Sequence, residues 1–307
     1  MTPNQLLCFR RMRELDTPGQ ICPHCGYDNR IRSNGAGLLG ETILGGQYQV
    51  GRVLGRGGFG ITYIGYDLNL DRRIAIKEYF PSHLVLRDSD NCTLSAISGS
   101  EEDYEKGCRR ALRESRMAAG LGQIPGVVQV YNGLVDNNTV YIVMEFIDGP
   151  TLTDYMENRP AATLAEAMDL LAPVARALQT LHERKVVHRD VKPDNIMIRR
   201  ETNDGVLLDF GAARTEDGTT MSHSSAVVSA GYAPPEQYNM TSMDGRIDEY
   251  ALSATLLFTL TKRRPPDVMQ RIAQSNAMPS IHAANPDVSP AAESVIFKGM
   301  ELKADNR

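Results

Sequence analysis

The pattern of hydrophobic residues changes once along this 307-residue chain, near Gly149. Before that point, short runs alternate apolar and polar residues, which is typical of half-buried β-strands. After it, apolar residues recur every three or four positions, which is typical of helices packed on a core. The change predicts an α+β fold with two lobes: a small β-rich lobe over about 47–146 and a larger helical lobe over about 147–307.

Five strands and one helix are predicted in the first lobe. The helix covers 100–119, where Ser100 and Asp103 have the spacing of a capping box, and Gly120 and Gly122 mark its end. The predicted strands cover 48–54, 60–68, 73–79, 127–134 and 139–146.

Two helices are predicted in the second lobe from the pattern of apolar residues. The first begins after Thr163, with Glu166 placed to complete a capping box. The second covers 247–260 and is apolar enough to be buried. The residues expected on the apolar face of the first helix are Leu164, Met168, Leu171, Val174, Leu178 and Leu181.

Composition narrows the range of partners. A formal net charge of -5 gives no electrostatic reason to expect nucleic acid. No apolar run approaches the ~18 residues needed to span a bilayer, so no membrane contact is expected within this chain. The N-terminus also lacks the charged-then-apolar pattern of a signal peptide. We therefore expect a cytoplasmic location, and any membrane anchor would lie beyond Arg307.

Residues 1–46 differ from the rest and are predicted to form a separate N-terminal segment. They hold three of the five cysteines and end in a glycine-rich stretch that is typical of a flexible linker. The Cys-x-x-Cys run at Cys22 and Cys25 resembles one knuckle of a zinc ribbon. Cys8 would begin a second knuckle, but Arg11 stands where its partner thiol would be. Two interpretations remain open: a zinc site formed by Cys8, Cys22 and Cys25, or a degenerate ribbon with free thiols.

A glycine-rich turn, Gly-Arg-Gly-Gly-Phe-Gly at 55–60, lies between the first two predicted strands. Glycines let backbone N–H groups approach phosphates closely. The same spacing occurs in dinucleotide-binding folds, but there a helix follows the turn, whereas here a strand follows. Lys77 lies inside the next apolar strand. It either pairs with an anion, since an unpaired buried ammonium is costly, or it lies at a sheet edge and points to solvent.

The second lobe contains three motifs whose order matters. They are His-Arg-Asp-Val-Lys-Pro-Asp-Asn at 188–195, Leu-Asp-Phe-Gly at 208–211 and Ala-Pro-Pro-Glu at 233–236. Together with the glycine-rich turn and Lys77, they follow the order of the protein kinase signatures. From 48 to 307 the sequence therefore resembles a eukaryotic-like serine/threonine protein kinase.

The resemblance implies a two-lobed protein kinase fold that transfers the γ-phosphoryl group of Mg-ATP to serine and threonine hydroxyls of protein substrates. Asp190 would orient the substrate hydroxyl and accept its proton. Asn195 and Asp209 would bind Mg²⁺. Lys192, which is typical of the serine/threonine branch, would contact the transferring phosphate, and Ser229 would hold that lysine in place.

ATP binding is assigned to several residues by the same resemblance. Met144 would be the gatekeeper, and backbone groups of Glu145 and Ile147 would bind adenine. Thr62 stands where the family usually has valine, and its methyl group can still pack on the base. The further nucleotide-binding residues would be Leu54, Gly55, Gly57, Gly58, Phe59, Gly60, Thr62 and Ala75.

Lys77 would contact the α- and β-phosphates and be held by a helix glutamate. Glu114 is the preferred partner, with Glu105 and Glu101 as alternatives. The connection from Lys77 to Glu114 is longer than is typical of the family. The extra residues, 81–99, are predicted to be an exposed insertion, either a tolerated surface loop or a docking site for a regulator.

Arg307 matches the arginine that pairs in this family with the glutamate of the third motif, here Glu236. The family's final helix would follow Arg307, so we expect a fold truncated at its C-terminal end. The runs at 75–81 and 231–236 resemble those of bacterial members of the family.

Hydroxyl residues cluster between Asp209 and Glu236, which suggests a switch. Arg189 would receive a phosphate placed on this segment by autophosphorylation, most favourably at Thr219 or Thr220. The alternative is a solvated loop with no regulatory role. The hydroxyl residues are Thr219, Thr220, Ser222, Ser224 and Ser225.

Two other functions are weighed against an active protein kinase. A pseudokinase scaffold would be favoured by loss of Lys77, Asp190 or Asp209, and all three are present. A small-molecule phosphotransferase would share the loop at 188–195 but would lack the Ala-Pro-Glu type of segment.

Overall fold

The computed structural model describes residues 6–31, 36–58, 60–208, 214–215, 229–239, 244–274 and 277–307. Phe59, Asp209 and the hydroxyl cluster at 219–225 lie outside the described residues. None of the described helices is long and apolar enough to cross a membrane. The chain divides into two compact units: unit 1 comprises Met1–Gly122 and Gln129–Phe146, and unit 2 comprises Gln123–Val128 and Ile147–Arg307.

Unit 1 is built on a six-stranded antiparallel sheet. Its strands are β1 (Ile43–Leu44), β2 (Tyr48–Gly57), β3 (Gly60–Asp67), β4 (Arg72–Tyr79), β7 (Val130–Asp136) and β8 (Thr139–Glu145). The order across the sheet is β1-β2-β3-β4-β8-β7. All five predicted strands are present, with ends that differ by a few residues from those read in the sequence.

Several of the most deeply buried residues of the central strands lie two positions apart. Tyr63 in β3 and Ile74 and Ile76 in β4 are fully buried, as are Tyr141 and Val143 in β8. Side chains of one strand point alternately to the two faces of a sheet, so residues two apart share a face. This period of two is the signal that allows the strands to be predicted.

Helix α1 (Glu101–Gly120) packs on the sheet through residues spaced at helical intervals. Ser115 approaches Gly133 in β7 so closely that any side chain at position 133 would collide with it. The predicted capping box at Ser100 is wrong, because the Ser100 side chain makes no hydrogen bond to the helix start. Three acidic residues in the first turn supply the negative charge that the helix dipole favours there. The buried residues of α1 are Tyr104, Ala111, Ser115 and Ala118.

The segment between β4 and α1 is only partly the exposed insertion that the sequence predicts. It forms a hairpin of β5 (Val85–Arg87) and β6 (Leu94–Ala96). Val85 and Leu94 are buried in the core of unit 1, while the tip at 88–91 is exposed. Each strand has three residues, which is too short for an alternating pattern to be recognised in the sequence.

A buried carboxylate attaches this hairpin to the sheet. Glu78 of β4 is 0% exposed. Its Oε2 atom accepts hydrogen bonds from Arg87 Nη2 and from the Tyr63 hydroxyl, both at 2.6 Å. Its Oε1 atom accepts one from the Tyr141 hydroxyl at 2.9 Å. Burial, followed by the negative charge of Glu78, raises the pKa of both tyrosines, so they stay protonated and keep donating.

We expect Arg87→Met to lower the free energy of unfolding by about 2 kcal/mol, measured by chemical denaturation. The substitution leaves the Glu78 carboxylate buried without its cation, but two tyrosine hydroxyls still donate to it, which limits the loss. Arg109→Met is the matched control, because Arg109 pairs with Glu105 on the exposed face of α1 and should contribute little. Equal stabilities for the two variants would show that the buried pair does not anchor the hairpin.

The segment 36–46, which the sequence predicts to be a flexible linker, contributes two leucines to the core. Leu38 and Leu44 are fully buried among the core residues of unit 1. The Leu38 N–H group donates to the Tyr63 hydroxyl at 2.9 Å. Gly45 and Gly46 lie in the tight turn between β1 and β2, where they have φ of 54° and 69°.

Unit 2 is mainly helical. Its helices are α2 (Leu152–Glu157), α3 (Leu164–Glu183), α4 (Pro235–Asn239), α5 (Arg246–Thr261), α6 (Val268–Ala273), α7 (Ile281–Ala284) and α8 (Pro290–Gly299). Its short strands are β9 (Val186–Val187), β10 (Ile196–Ile198), β11 (Gly205–Leu207) and β12 (Arg214–Thr215), and they pair as β10 with β11 and β9 with β12.

Helix α3 confirms half of its predicted capping box. The Thr163 hydroxyl accepts a hydrogen bond from the Glu166 N–H group at 3.1 Å, whereas the Glu166 side chain pairs with Arg159. Met168 is 49% exposed, so its assignment to the buried face is wrong. Met168 follows the fully buried Ala167. Successive residues in a helix are rotated by about 100° around its axis, so the Met168 side chain points away from the centre of the buried face. Helix α5 is buried along most of its length, as predicted.

Candidate active site

Three predicted catalytic residues meet in the loop between β9 and β10. Lys192 Nζ donates to both carboxylate oxygens of Asp190, at 2.9 Å each. Asn195 Nδ2 donates to Asp190 Oδ2 at 2.7 Å and to the Asp190 carbonyl oxygen at 2.9 Å. The carboxylate is therefore oriented by one cation and one amide, which are the strong, direction-specific contacts needed to fix a reacting group.

Ser229 joins this cluster from a distant part of the chain. Lys192 Nζ donates to Ser229 Oγ at 2.8 Å, and Ser229 Oγ donates to Asp190 Oδ1 at 2.8 Å. The predicted contact between Lys192 and Ser229 is confirmed. The side chains of Asp190 and Lys192 are 29% and 22% exposed, so an incoming hydroxyl can reach the carboxylate.

The backbone of this loop is held by Asp248, a residue that sequence reasoning missed. Asp248 is fully buried in α5. Its carboxylate accepts the N–H groups of His188 and Arg189, both at 2.8 Å, and lies 2.8 Å from His182 Nε2. Arg189 adopts a φ of 69°, which a non-glycine residue rarely adopts unless its surroundings impose it. The available signal was an aspartate in the first turn of a mostly apolar helix, directly after an isoleucine, since a carboxylate buried there requires partners.

Leu208, the residue before Asp209, is hydrogen-bonded to the loop that carries Asp190. The Leu208 N–H group donates to the Asn195 carbonyl at 2.8 Å, and the Leu208 carbonyl lies 2.9 Å from His188 Nε2. A carbonyl can only accept, so His188 carries its proton on Nε2. Asn195 uses its amide nitrogen for Asp190, and its side-chain oxygen is the hard donor that suits Mg²⁺. The residues present thus fit a magnesium ligand at Asn195.

The glycine-rich turn in unit 1 is shaped by strand pairing. Gly55 pairs with Thr62 and Gly57 pairs with Gly60, which places Gly58 in the turn. A Cβ atom added at Gly55, Gly57 or Gly58 would meet no other atom within 4 Å, so the turn leaves open space beside its backbone. Gly60 has a different reason for being glycine, because a Cβ there would lie 2.6 Å from the Glu78 carbonyl oxygen. Open backbone of this kind fits a phosphate group.

Lys77 lies in a central strand, so the alternative of an edge lysine is wrong. Strand β4 has β3 on one side and β8 on the other, and Lys77 pairs with Thr62 and Ile142. Two positions before it, Ala75 is buried and pairs with Met144 in β8. Leu54, also assigned to nucleotide binding, is 38% exposed in β2.

Glu114 lies on α1 and is the least exposed of the three candidate partners for Lys77. Its side chain is 16% exposed and accepts a hydrogen bond from Arg110 Nε at 2.8 Å. Glu105 is 68% exposed and pairs with Arg109, and Glu101 is exposed at the helix start. The assignment of Glu114 to Lys77 stays a prediction.

The two predicted adenine-binding residues lie on either side of the point in the sequence where unit 1 ends and unit 2 resumes. Glu145 ends β8, and its N–H group donates to the Gln129 carbonyl at 2.8 Å. Across the sheet, Glu145 pairs with Ile74 of β4. Ile147 is 3% exposed and belongs to unit 2. Their role in binding adenine stays a prediction.

The predicted ion pair between Glu236 and Arg307 is confirmed. Arg307 Nη1 and Nη2 each donate to one carboxylate oxygen of Glu236, the second at 3.2 Å. The Arg307 side chain is fully buried and that of Glu236 nearly so. Arg307 also donates to the Arg246 and Glu301 carbonyls, at 3.1 and 2.8 Å. The pair therefore joins the start of α4 to the end of the chain.

Comparison with known proteins identifies the family. The family model described as the protein kinase domain matches residues 48–307. The chain belongs to the protein kinase family. Membership implies ATP and Mg²⁺ as cofactors and proteins as substrates.

Three bacterial relatives are each 32% identical to this kinase chain. They are a probable serine/threonine-protein kinase of Streptomyces coelicolor over 279 residues, PrkC of Bacillus subtilis over 267 residues and PknB of Mycobacterium tuberculosis over 278 residues. The matches cover 86%, 85% and 86% of this chain but 38%, 38% and 41% of the relatives. These relatives confirm the predicted resemblance to bacterial, eukaryotic-like serine/threonine protein kinases.

A solved structure described as PpkA-294 in its apo form is similar to this kinase chain. The two are 31% identical, with a TM-score of 0.77, and the match covers 90% of this chain and 96% of that one. The predicted α+β, two-lobed protein kinase fold is confirmed.

The three cysteines before the kinase domain also come together. The sulfur atoms of Cys8, Cys22 and Cys25 all lie within 4.8 Å of one another, and those of Cys8 and Cys25 are 3.6 Å apart. Cys8 and Cys22 are buried, whereas His24 is exposed. Among the described residues, this is the group of histidine, cysteine and acidic side chains that could hold a metal ion.

Proposed function

We propose that this kinase domain transfers the γ-phosphoryl group of Mg-ATP to serine and threonine hydroxyls of proteins. The observation that carries the proposal is the cluster of Asp190, Lys192 and Ser229, in which a lysine joins the carboxylate to a hydroxyl side chain. A carboxylate held in this way can accept the proton of an incoming hydroxyl. The lysine beside it carries the positive charge that the transferring phosphoryl group requires.

The other roles follow from the same family pattern. Lys77, supported by Glu114, would contact the α- and β-phosphates, and the backbone of the glycine-rich turn would contact the phosphate chain. Asn195 and Asp209 would hold Mg²⁺, which neutralises phosphate charge when bound. Adenine would bind at the backbone of 145–147. ATP as the donor also supports a cytoplasmic location.

The test is transfer of labelled phosphate from ATP to a generic protein substrate, followed by identification of the phosphorylated amino acids. Phosphoserine and phosphothreonine are expected, and Lys77→Met should abolish their formation. Lys106→Met is the matched control, because Lys106 pairs with Glu102 on the exposed face of α1. ATP binding without any transfer would favour the pseudokinase scaffold. Label on a small molecule but not on protein would favour a small-molecule phosphotransferase.

We also expect autophosphorylation within 219–225, at Thr219 or Thr220, with higher activity afterwards. Arg189 supports this proposal, because Asp248 and the Gln237 side chain hold its backbone next to the catalytic aspartate. A new phosphate adds about -2 charge and several acceptors, which suits a fixed cation. Mass spectrometry of protein incubated with Mg²⁺ and ATP, beside an Asp190→Asn sample, would detect the modification. Full activity after replacement of all five hydroxyl residues by alanine would rule the switch out.

The N-terminal segment, 1–46, is proposed to be a zinc-ribbon-like module attached to the kinase domain at 47–307, with a zinc ion held by Cys8, Cys22 and Cys25. Tetrahedral zinc with Zn–S bonds of about 2.3 Å places neighbouring sulfur atoms about 3.8 Å apart. The 3.6 Å separation of the Cys8 and Cys25 sulfur atoms is close to that value.

Elemental analysis of protein purified under reducing conditions should find about one zinc ion per chain. Cys22→Ser should lose the metal because only two thiolates remain. Cys92→Ser should retain it, since Cys92 packs against the sheet core of unit 1. Free thiols with no metal in the parent protein would support the degenerate ribbon instead.

A further inference from the structure

The N-terminal module contains the same backbone turn twice. We call residues 7–14 knuckle 1 and residues 21–28 knuckle 2. Each is closed by an antiparallel bridge between its first and last residues, Leu7 with Glu14 and Ile21 with Asp28. The two bridges have the same separation along the chain, and each begins one residue before a cysteine, Cys8 or Cys22.

The hydrogen bonds inside the two knuckles correspond one to one. The Cys8 N–H group donates to the Arg13 carbonyl at 2.8 Å, and the Cys8 carbonyl accepts from Arg11 and Met12. In knuckle 2 the Cys22 N–H group donates to the Tyr27 carbonyl at 2.8 Å, and the Cys22 carbonyl accepts from Cys25 and Gly26. Both turns also place a left-handed residue at the same point, Met12 with a φ of 50° and Gly26 with a φ of 67°.

This correspondence identifies the missing corner of the thiol cluster. Arg11 occupies the backbone position in knuckle 1 that Cys25 occupies in knuckle 2. A pair of such knuckles supplies four ligands when both positions of each carry cysteine. Here Cys8, Cys22 and Cys25 supply three, and the position of the fourth ligand corresponds to the exposed residue Arg11.

The surroundings of that corner are cationic. Arg10, Arg11 and Arg13 are all exposed in knuckle 1. Burial, together with the positive charges of Arg10 and Arg11, lowers the pKa of Arg52, whose Nε atom donates to the Arg10 carbonyl at 3.4 Å. A zinc ion with three thiolates carries a net charge of -1, and the neighbouring guanidinium groups offset the repulsion that a fourth anion would meet.

We propose that the fourth coordination position of this zinc site is filled from outside the chain by a small anionic ligand, of which a low-molecular-weight thiolate is the preferred class. The proposal rests on the zinc binding proposed above. Zinc is coordinated by thiolates in structural sites, so an external thiolate completes the set that the two knuckles begin. The external thiol would lose its proton to solvent when it binds as a thiolate, and the step would involve no oxidation or reduction.

Replacement of zinc by cobalt(II) in the full chain gives the test, because the visible bands of cobalt report its ligands directly. The cobalt protein would be titrated with glutathione, with chloride and with neutral imidazole, in the presence of a phosphine reductant. We expect a saturable spectral change that glutathione produces at the lowest concentration. Arg11→Ala should keep the site but weaken glutathione binding by about 3–10-fold, as loss of one nearby charge would do.

Arg11→Cys is the decisive variant. It supplies the fourth thiolate from the chain, so its cobalt spectrum should not respond to glutathione, and it should resist a chelator at least ~10-fold better than the parent. Arg13→Cys is the matched control, since it adds a thiol to the same knuckle at a position that does not correspond to a ligand. It should respond to glutathione as the parent does.

The possible failures are distinguishable. Cobalt bands that no added ligand changes would overturn the external ligand but leave the zinc site standing. An equal response in Arg11→Cys and the parent would place the ligand elsewhere and also overturn the inference. The absence of cobalt bands in the parent, with bands in Arg11→Cys, would overturn zinc binding itself. Kinase activity of the same preparations is an independent measurement and decides none of these outcomes.

Discussion

Asp190→Asn is expected to lower kcat for phosphoryl transfer by about 10²-fold or more, because the general-base contribution of such a residue is of that order. The amide has nearly the same shape as the carboxylate, so its oxygen can still accept from Asn195, while its NH2 group can only donate to the Ser229 hydroxyl. What is lost is the group that accepts the proton and the negative charge that holds Lys192. ATP affinity should change little, since the nucleotide contacts are assigned to other residues.

Steady-state kinetics and a binding measurement on the same preparation separate these two effects. Asp194→Asn is a suitable control, because Asp194 lies in the same turn but is exposed and accepts a hydrogen bond from the Thr153 hydroxyl at 2.8 Å. It should lose little activity. Near-normal turnover by Asp190→Asn would remove Asp190 from the catalytic role proposed for it.

Arg307→Ala is expected to lower the free energy of unfolding by about 3–5 kcal/mol, the usual cost of removing one partner from a buried ion pair. The Glu236 carboxylate would remain nearly buried without its cation, and the carbonyls of Arg246 and Glu301 would lose a donor. Chemical and thermal denaturation would both measure the effect.

Arg246→Ala provides the comparison for this prediction. Arg246 also forms ion pairs, with Asp244 and Asp305, but its side chain is 34% exposed and that of Asp305 is 93% exposed. Solvent screens such pairs, so the loss should stay within about 1 kcal/mol. If Arg307→Ala melts within a degree of the parent, the pair does not brace α4.

The sequence predicts the structure best where a local pattern of residues has a single structural explanation. Alternation in β3 and β4 predicts buried strands, and the motif at 188–195 brings Asp190, Lys192 and Asn195 into one loop. Contacts between distant segments carry no such local signal. Asp248 in α5 accepts hydrogen bonds from the backbone of the loop at 188–189, and Glu78 pairs with Arg87 on a hairpin whose strands have three residues each.

Other predictions differ from the structure because the same residue types at the same spacing can adopt more than one backbone conformation. Ser100 has the residue type and spacing of a helix cap, but its backbone φ of -108° and ψ of 3° differ from the extended geometry of Thr163, whose hydroxyl does cap α3. The sequence indicates a second knuckle at Cys8, but it does not show whether the turn itself is kept where Arg11 replaces the second cysteine. Only the three-dimensional structure shows, through the hydrogen bonds that the two knuckles share, that the turn is kept.

The buried pair of Glu78 and Arg87 should couple substitutions in β4 to substitutions in the hairpin of β5 and β6. A change at either position alone leaves a desolvated charge, whereas joint replacement by apolar residues of similar volume is often neutral or stabilising. The two positions should therefore vary together among related kinases. Chains with a short connection between β4 and α1 should carry an uncharged residue at the position of Glu78, so an alignment that pairs a short connection with a glutamate there would contradict this coupling.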